Sequence, residues 1–171
     1  SPIIKTHLIG AYNLSNFLAA VSIGHFFNIS PASIQLGLAN YIPSNNRSQV
    51  HKTSRNTLIL DCYNANPSSM NAALESFAQI PHERKLAILG DMLELGAVSA
   101  AEHSSILAAC NKLSIPVLTV GLEFEGVNTG AHHYRDTSAL IASTVLSSFE
   151  NYLILIKGSR GIGLEQVAHL L

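Results

Sequence analysis

Charge is what this sequence has least of. Only 12% of its 171 residues are Asp, Glu, Lys or Arg, and they nearly cancel to a net −1. So weak and balanced a field offers no general attraction to nucleic acid or to an anionic membrane. No apolar run approaches the roughly 20 residues that span a bilayer. Residues 1–6 show no basic stretch ahead of an apolar core, so no signal peptide is expected. The Ser rather than Met at position 1 points to a cut or processed end. The two cysteines, Cys62 and Cys110, form no CxxC pair, which sets aside a disulfide framework and a Cys-based zinc site. Both read as small buried residues of a reducing compartment.

Several signatures of chemistry are also missing. No Gly is followed by Lys anywhere, so there is no G-x-x-x-x-G-K-[ST] loop to cradle ATP phosphates. The dinucleotide fingerprint G-x-G-x-x-G, the GxSxG elbow and HExxH are absent, which argues against a small dehydrogenase, a serine hydrolase and a zinc protease. His132-His133 is the nearest approach to a metal pair. Adjacent strand residues face opposite ways, and no acidic or Cys partner stands at ligand spacing, so a surface loop and no metal are expected.

What is there is a core-forming chain, 47% hydrophobic and long enough for one domain or a domain with an appendage. Leu14, Phe17, Leu18 and Val21 follow the spacing of an amphipathic helix. Ser30-Pro31 opens a second helix, with Ser as cap and Pro in the first turn and Ile34 and Leu38 as its buried face. Pro43-Ser44-Asn45-Asn46 then breaks the pattern, and a domain boundary is expected there, between 1–45 and 46–171. Beyond it, apolar runs at 57–60, 86–89, 117–120 and 152–156 read as strands. Between them lie helical faces carrying Met70 and Phe77, then Ile106 and Cys110, then Leu140 and Val145. Ser99 with Glu102 fits a capping box, Asp136 a cap, and Leu164, Val167 and Leu171 a closing helix. Strands that are apolar throughout and alternate with helices predict an α/β fold, a doubly wound, mainly parallel sheet. Ligands of such sheets bind at the carboxyl edge of the strands.

The polar clusters fall on that edge. Asp61-Cys62-Tyr63-Asn64-Ala65-Asn66-Pro67 follows the first strand, Gly90-Asp91-Met92-Leu93-Glu94-Leu95-Gly96 the second, and Lys157-Gly158-Ser159-Arg160-Gly161 the fourth. Asp61 reads either as a ribose ligand or as an acid in need of a buried partner. Asn66 is equally a helix cap, and Asp91 either orients an ammonium group or caps a turn. His103 is a surface residue or a site residue. Lys157, Ser159 and Arg160 ahead of a helix suit a carboxylate or phosphate. On these residues alone, a free-standing nucleotide- or anion-binding module remains open.

Taken together, the clusters resemble one family. Tyr63-Asn64-Ala65-Asn66-Pro67 with Ser69-Met70 is similar to the YNANPxSM motif of Mur ligases, in their D-Ala-D-Ala-adding branch. Leu89-Gly90-Asp91-Met92-Leu93-Glu94-Leu95-Gly96 with His103 resembles LGDMxELG…H, and Lys157-Gly158-Ser159-Arg160-Gly161 with Glu165 resembles KGSRG and its following acid. Asn13 and Asn16, with Ala19-Ala20, resemble GxHNxxNxxAA, with Tyr12 in place of its His. Asn45-Asn46-Arg47-Ser48 stands where a Gly-Arg pair is usual. The resemblance implies a Rossmann-like carboxy-terminal domain preceded by the last helices of a central ATPase domain. It implies a cytoplasmic, monomeric, ATP- and Mg2+-dependent ligase that activates UDP-MurNAc-tripeptide as an acyl phosphate and joins it to D-Ala-D-Ala. In that setting Arg47, Asp61, Tyr63, Asn64 and Asn66 lie near the nucleotide. Asp91, His103, Lys157, Ser159 and Arg160 lie near the substrates. The missing amino-terminal and central domains would be partners, and the present chain alone would be inactive.

Overall fold

In a computed structural model, residues 3–10, 13–44, 46–127 and 132–171 are described; Tyr12 and Asn45 lie outside them. Helix α1 spans Leu14–Phe26 and α2 spans Pro31–Asn40. Ser30 caps α2 by accepting from the Ser33 amide at 3.2 Å, with Pro31 in the first turn. Neither helix has a buried residue. Ile34 and Leu38, expected as a buried face, are only half-buried, and Leu14, Leu18, Ile23 and Phe26 stand exposed. The helix is there, but α1 is apolar on most of its faces and not along one stripe, and little of it is covered among the described residues.

The rest forms one six-stranded sheet in the order β1-β2-β6-β3-β4-β5. The strands are β1 (Gln49–Lys52), β2 (Thr57–Asp61), β3 (Lys85–Gly90), β4 (Val117–Val120), β5 (His132–Tyr134) and β6 (Leu153–Lys157). All neighbours run parallel except β1, which is antiparallel to β2. Helices α3 (Pro67–Gln79) and α4 (Ser99–Lys112) cover one face through Met70, Phe77, Ile106 and Cys110. Helix α6 (Thr137–Ala142) and the 3-10 segments Val145–Ser148 and Leu164–Leu170 cover the other, through Leu140, Leu146, Leu164 and Val167. A short α5 (Leu122–Glu125) follows β4. Alternate residues of β2, Leu58 and Ile59, enter opposite cores, as the strand pleat requires. Among the described residues no helix is long and apolar enough to cross a membrane.

Four expectations are corrected. The sequence pattern predicts four strands; β1 and β5 escape it because they are short, polar edge strands, half in solvent. His132 and His133 are therefore in β5 and not in a loop, and His133 Nδ1 meets Thr119 Oγ1 at 3.1 Å across the β4–β5 register. Ser99 makes no cap: it already has helical φ −52 and ψ −52 behind the 3-10 turn Gly96–Val98. The closing segment is a 3-10 helix. It runs over seven residues, and the Arg55, Asn56 and Thr53 side chains take the carbonyls of Leu170 and Leu171 at its end.

Asn56, 5% exposed, ties several chain segments together. Its amide group donates to the carbonyls of Phe149, at 2.9 Å, and Leu171, while its carbonyl accepts from the Tyr152 amide at 2.9 Å. Asn56→Ala leaves these buried partners unpaired and is expected to destabilise the fold by about 2–3 kcal/mol, read as a lower urea midpoint with an unchanged slope.

Candidate functional site

Because β2, β6, β3, β4 and β5 are parallel, their carboxyl ends lie on one rim, in that order. At its left end, the register sets Asp61 opposite Lys157. Lys157 is 2% exposed and its Nζ lies 2.6 Å from Asp61 Oδ2. Nζ also donates to the Asn64 carbonyl at 3.3 Å, and Asp61 Oδ1 accepts from the Ser48 amide at 3.2 Å. A buried charge without a partner is expensive, and here each charge answers the other. The pair pins the β2 and β6 loops together.

Above this pair the surface changes character. Tyr63, 39% exposed, lies under the Arg47 guanidinium, whose Cζ is 3.6 Å from the ring centroid. Arg160 Cζ is 5.6 Å from the same centroid. Both arginines are exposed, and among the described residues neither has a carboxylate partner. Two unneutralised guanidinium groups over one aromatic ring form a platform for an anion with a planar part. Asn64 is exposed, while the Asn66 side chain is spent on a capping box with Ser69 at the start of α3.

The middle of the rim is locked from within. Successive amides leaving β3 are each taken: Asp91 by the Val120 carbonyl, Met92 by His103 Nε2 at 3.0 Å, and Leu93 by Ser159 Oγ at 2.9 Å. The Ser159 amide returns a bond to the Asp91 carbonyl at 3.0 Å. His103 is fully buried. Its Nε2 accepts a hydrogen bond from the Met92 amide, and its Nδ1 lies 2.8 Å from the Ser99 carbonyl, which can only accept. That pattern defines the neutral ring with its proton on Nδ1. His103 is therefore a brace for the loop and not a surface group. Ser99 Oγ meets both His103 Nδ1 and the Glu123 carboxylate. It is no activated nucleophile, since both ring nitrogens are already committed.

Asp91, 2% exposed, directs Oδ2 to the Glu123 amide and Oδ1 to the Phe124 amide, each at 3.0 Å. Burial raises its pKa above the ordinary value, against the pull of those two amides. Of the two readings of Asp91, the geometry displays the turn cap. Gly121, which sequence reasoning missed, makes this possible: it has φ +123, and an added Cβ would fall 2.2 Å from Asp91 Oδ2. Gly158 permits the close approach of β6 to β3, since its Cβ would lie 3.0 Å from the Gly90 Cα. Both glycines sit just after a strand, the one signal that marked the position. Burial pushes the Cys62 thiol, beside the Asp61–Lys157 pair, up to about 12, with the Glu165 charge adding to it. Cys110 is likewise pushed up to about 12 by burial. Among the described residues no three His, Cys, Asp or Glu side chains gather as a metal site.

A doubly wound, mostly parallel sheet with a polar carboxyl rim defines a Rossmann-like domain. The model of one family, described as Mur ligase, glutamate ligase domain, matches residues 46–160. The UDP-N-acetylmuramoyl-tripeptide–D-alanyl-D-alanine ligase of Escherichia coli is 36% identical over 96% of this chain, and that of Bacillus subtilis 31% over 94%. The chain spans 38% of the length of each. A crystal structure of MurF from Acinetobacter baumannii is similar with a TM-score of 0.79 and 27% identity, covering 94% of this chain and 37% of that one. The chain belongs to the Mur ligase family, whose carboxy-terminal domain fold it carries.

Lys157→Met strands Asp61 beside an apolar side chain and is expected to cost about 3–5 kcal/mol. Adding Asp61→Leu should restore most of that loss. Urea unfolding of the single and double variants reads both values.

Proposed function

We propose that this chain is the closing part of a cytoplasmic, monomeric, ATP-dependent ligase that joins D-Ala-D-Ala to UDP-MurNAc-tripeptide in peptidoglycan synthesis. Residues 1–45 end its central ATPase domain and 46–171 form its carboxy-terminal domain. The observation that carries this reading is the platform of Arg47, Tyr63 and Arg160, two free cations on a ring at the strand edge where such sheets hold ligands. Support comes from the identity to named D-alanyl-D-alanine ligases over nearly the whole chain. The ADP complex of MurF from Thermotoga maritima, similar in fold with a TM-score of 0.79 and 22% identity, is consistent with it.

In this reading the nucleotide lies across Tyr63 with its phosphates toward Arg47. Asn64 is at hand, and Asp61 is held by Lys157 so that its remaining lone pairs face a ribose hydroxyl. Asn66 acts at one remove, by starting α3. A cleft of about 620 Å³, lined in part by Asn13, Asn16, Phe17, Tyr41 and Arg47, adjoins the platform and has the size of a nucleotide-scale pocket. ATP, when bound, supplies the phosphoryl group that activates the tripeptide carboxylate; the dipeptide amine then forms the amide and phosphate leaves. Mg2+ does not fit this chain's residues: Asp61 is paired with Lys157 and Asp91 with two amides. Arg160 faces the substrates, and Asp91, His103, Lys157 and Ser159 position the loops that do so. A dry, closed site protects an activated carboxylate from water, and domain closure supplies one. The exposed apolar surface of α1 and α2 is what the rest of a central domain would cover, and it speaks against a free-standing module.

In the full-length ligase, Arg47→Ala should raise the KM for ATP at least 10-fold, the scale of one charge-assisted contact, and leave the KM for D-Ala-D-Ala within twofold. The isolated 171-residue chain should neither hydrolyse ATP nor ligate. Ligation by the isolated chain, or an Arg47→Ala enzyme with an unchanged KM for ATP, would contradict the reading.

A further inference from the structure

His103 has two alternative partners for one nitrogen. Its Nε2 accepts from the Met92 amide at 3.0 Å, while Nδ1 donates to the Ser99 carbonyl at 2.8 Å. The same Nε2 lies 3.8 Å from Asp91 Oδ1. That second approach is idle while the ring is neutral, because Nε2 then carries a lone pair and no proton. A proton on Nε2 reverses both relations. It faces the Met92 N–H donor to donor, and the Asp91 carboxylate becomes its partner.

The elements around His103 bring acids to it. The loop after β3 carries Asp91 and the exposed Glu94. Helix α3, packed on α4, has Glu75 as its one charged residue, and that side chain is exposed. Helix α5 carries Glu123 and Glu125, and the Glu123 carboxylate accepts from Ser99 Oγ, which also meets His103 Nδ1. Helix α4 itself adds Glu102, with its one cation, Lys112, at the far end. A charged ring would therefore sit in a negative field. Only Asp91 comes within 4 Å of it, however, and Asp91 Oδ1 already holds the Phe124 amide at 3.0 Å. The ring can pair with Asp91 only by leaving Met92 and contesting that bond. The loop it leaves is under tension: Glu94 has φ +70, a conformation strained for any residue with a Cβ. Bonds to His103 at Met92 and to Ser159 at Leu93 hold it there.

We propose that His103 is a proton-operated latch: neutral, it holds the Met92–Leu93 loop in its braced form, and protonated on Nε2, it turns to Asp91 and frees that loop. The Met92 bond is present while the ring is neutral and is lost as pH falls through the range in which histidines take up charge. Resting on the ligase reading above, the latch makes His103 a positioning residue that lowers turnover in acid; it touches no substrate. Asp91 is the second group here that can take a proton. Its protonation would release the Glu123 and Phe124 amides and leave the Met92 amide in place, so the two events have separate reporters.

The test follows the His103 ring nitrogens by NMR and the amides by hydrogen exchange in the 171-residue chain, from about pH 8 to about pH 5. Each amide is compared with its intrinsic exchange rate at the same pH. The ring should begin with its one proton on Nδ1. As Nε2 gains a proton, protection of Met92 should fall at least about 10-fold, the effect of one proton over one pH unit, while Ile154 keeps its protection. His103→Gln places an amide oxygen where Nε2 accepts and cannot titrate, so Met92 should stay protected throughout. In the full-length ligase, kcat relative to its own value at about pH 8 should fall about 10-fold further at about pH 6 in the wild type than in His103→Gln, a difference that a merely structural role would not produce. A ring that takes its proton with no change at Met92, a ring that stays neutral to about pH 5, or a His103→Gln chain with the wild-type pH dependence overturns the proposal. Should His103→Gln fail to fold, the wild-type ring and the Met92 amide still decide it. A full-length enzyme that does not ligate overturns the ligase reading alone, because the ring and amide measurements make no use of catalysis.

Discussion

The ion pair between Lys157 and Asp61 is the constraint on which the rim depends. Two parallel strands from opposite ends of the domain bring a cation and an anion to the same register level, where water is nearly excluded. Removing either charge leaves the other buried, so the pair fixes the β2 and β6 loops more firmly than their short length would. From β6 the constraint passes on. Gly158 lets the chain press against Gly90, and Ser159 exchanges bonds with Asp91 and Leu93. Asp91 then holds the start of α5, and His103 secures the same loop from α4.

The consequence is a division of labour among polar residues. Most of the groups that look like ligands for a small molecule are ligands for the protein itself. Asp91, His103, Lys157 and Ser159 spend their capacity on neighbours, and Asp61 accepts one bond at each oxygen, from Lys157 and Ser48. Three arginines remain outward, Arg47 and Arg160 at one end of the rim and Arg135 at the other. A wall arranged in this way is set before anything binds, which is how an active site avoids reorganising at the moment of reaction. The helices α1 and α2 carry the opposite condition, an apolar surface left exposed among the described residues.

What could be read in advance follows the range of the interactions. The caps at Ser30, Asn66 and Asp136 act over three residues, and sequence reasoning located all three. Strands β2, β3, β4 and β6 are apolar on both faces and announce themselves. The edge strands β1 and β5 do not, because solvent on one side permits His and Lys. Pairing at long range stayed hidden: Asp61 and Lys157 are 96 residues apart, and nothing local distinguishes a ribose ligand from half of a buried pair. The burial of His103 was equally illegible, since it depends on Phe124 packing edge-on at 4.6 Å from a later element. Motif resemblance identified the family, while the physical pattern identified only the edge of the sheet where its chemistry lies.

The central claim is that this wall is internally braced before any ligand or neighbouring domain arrives. Amide hydrogen exchange of the isolated chain tests it most directly. Met92, Leu93, Glu123, Phe124 and Ser159 should exchange as slowly as Ile154 in the central strand, opening only with global unfolding. Exchange of Met92 and Leu93 at the rate of an open loop, while Ile154 remains protected, would contradict the account.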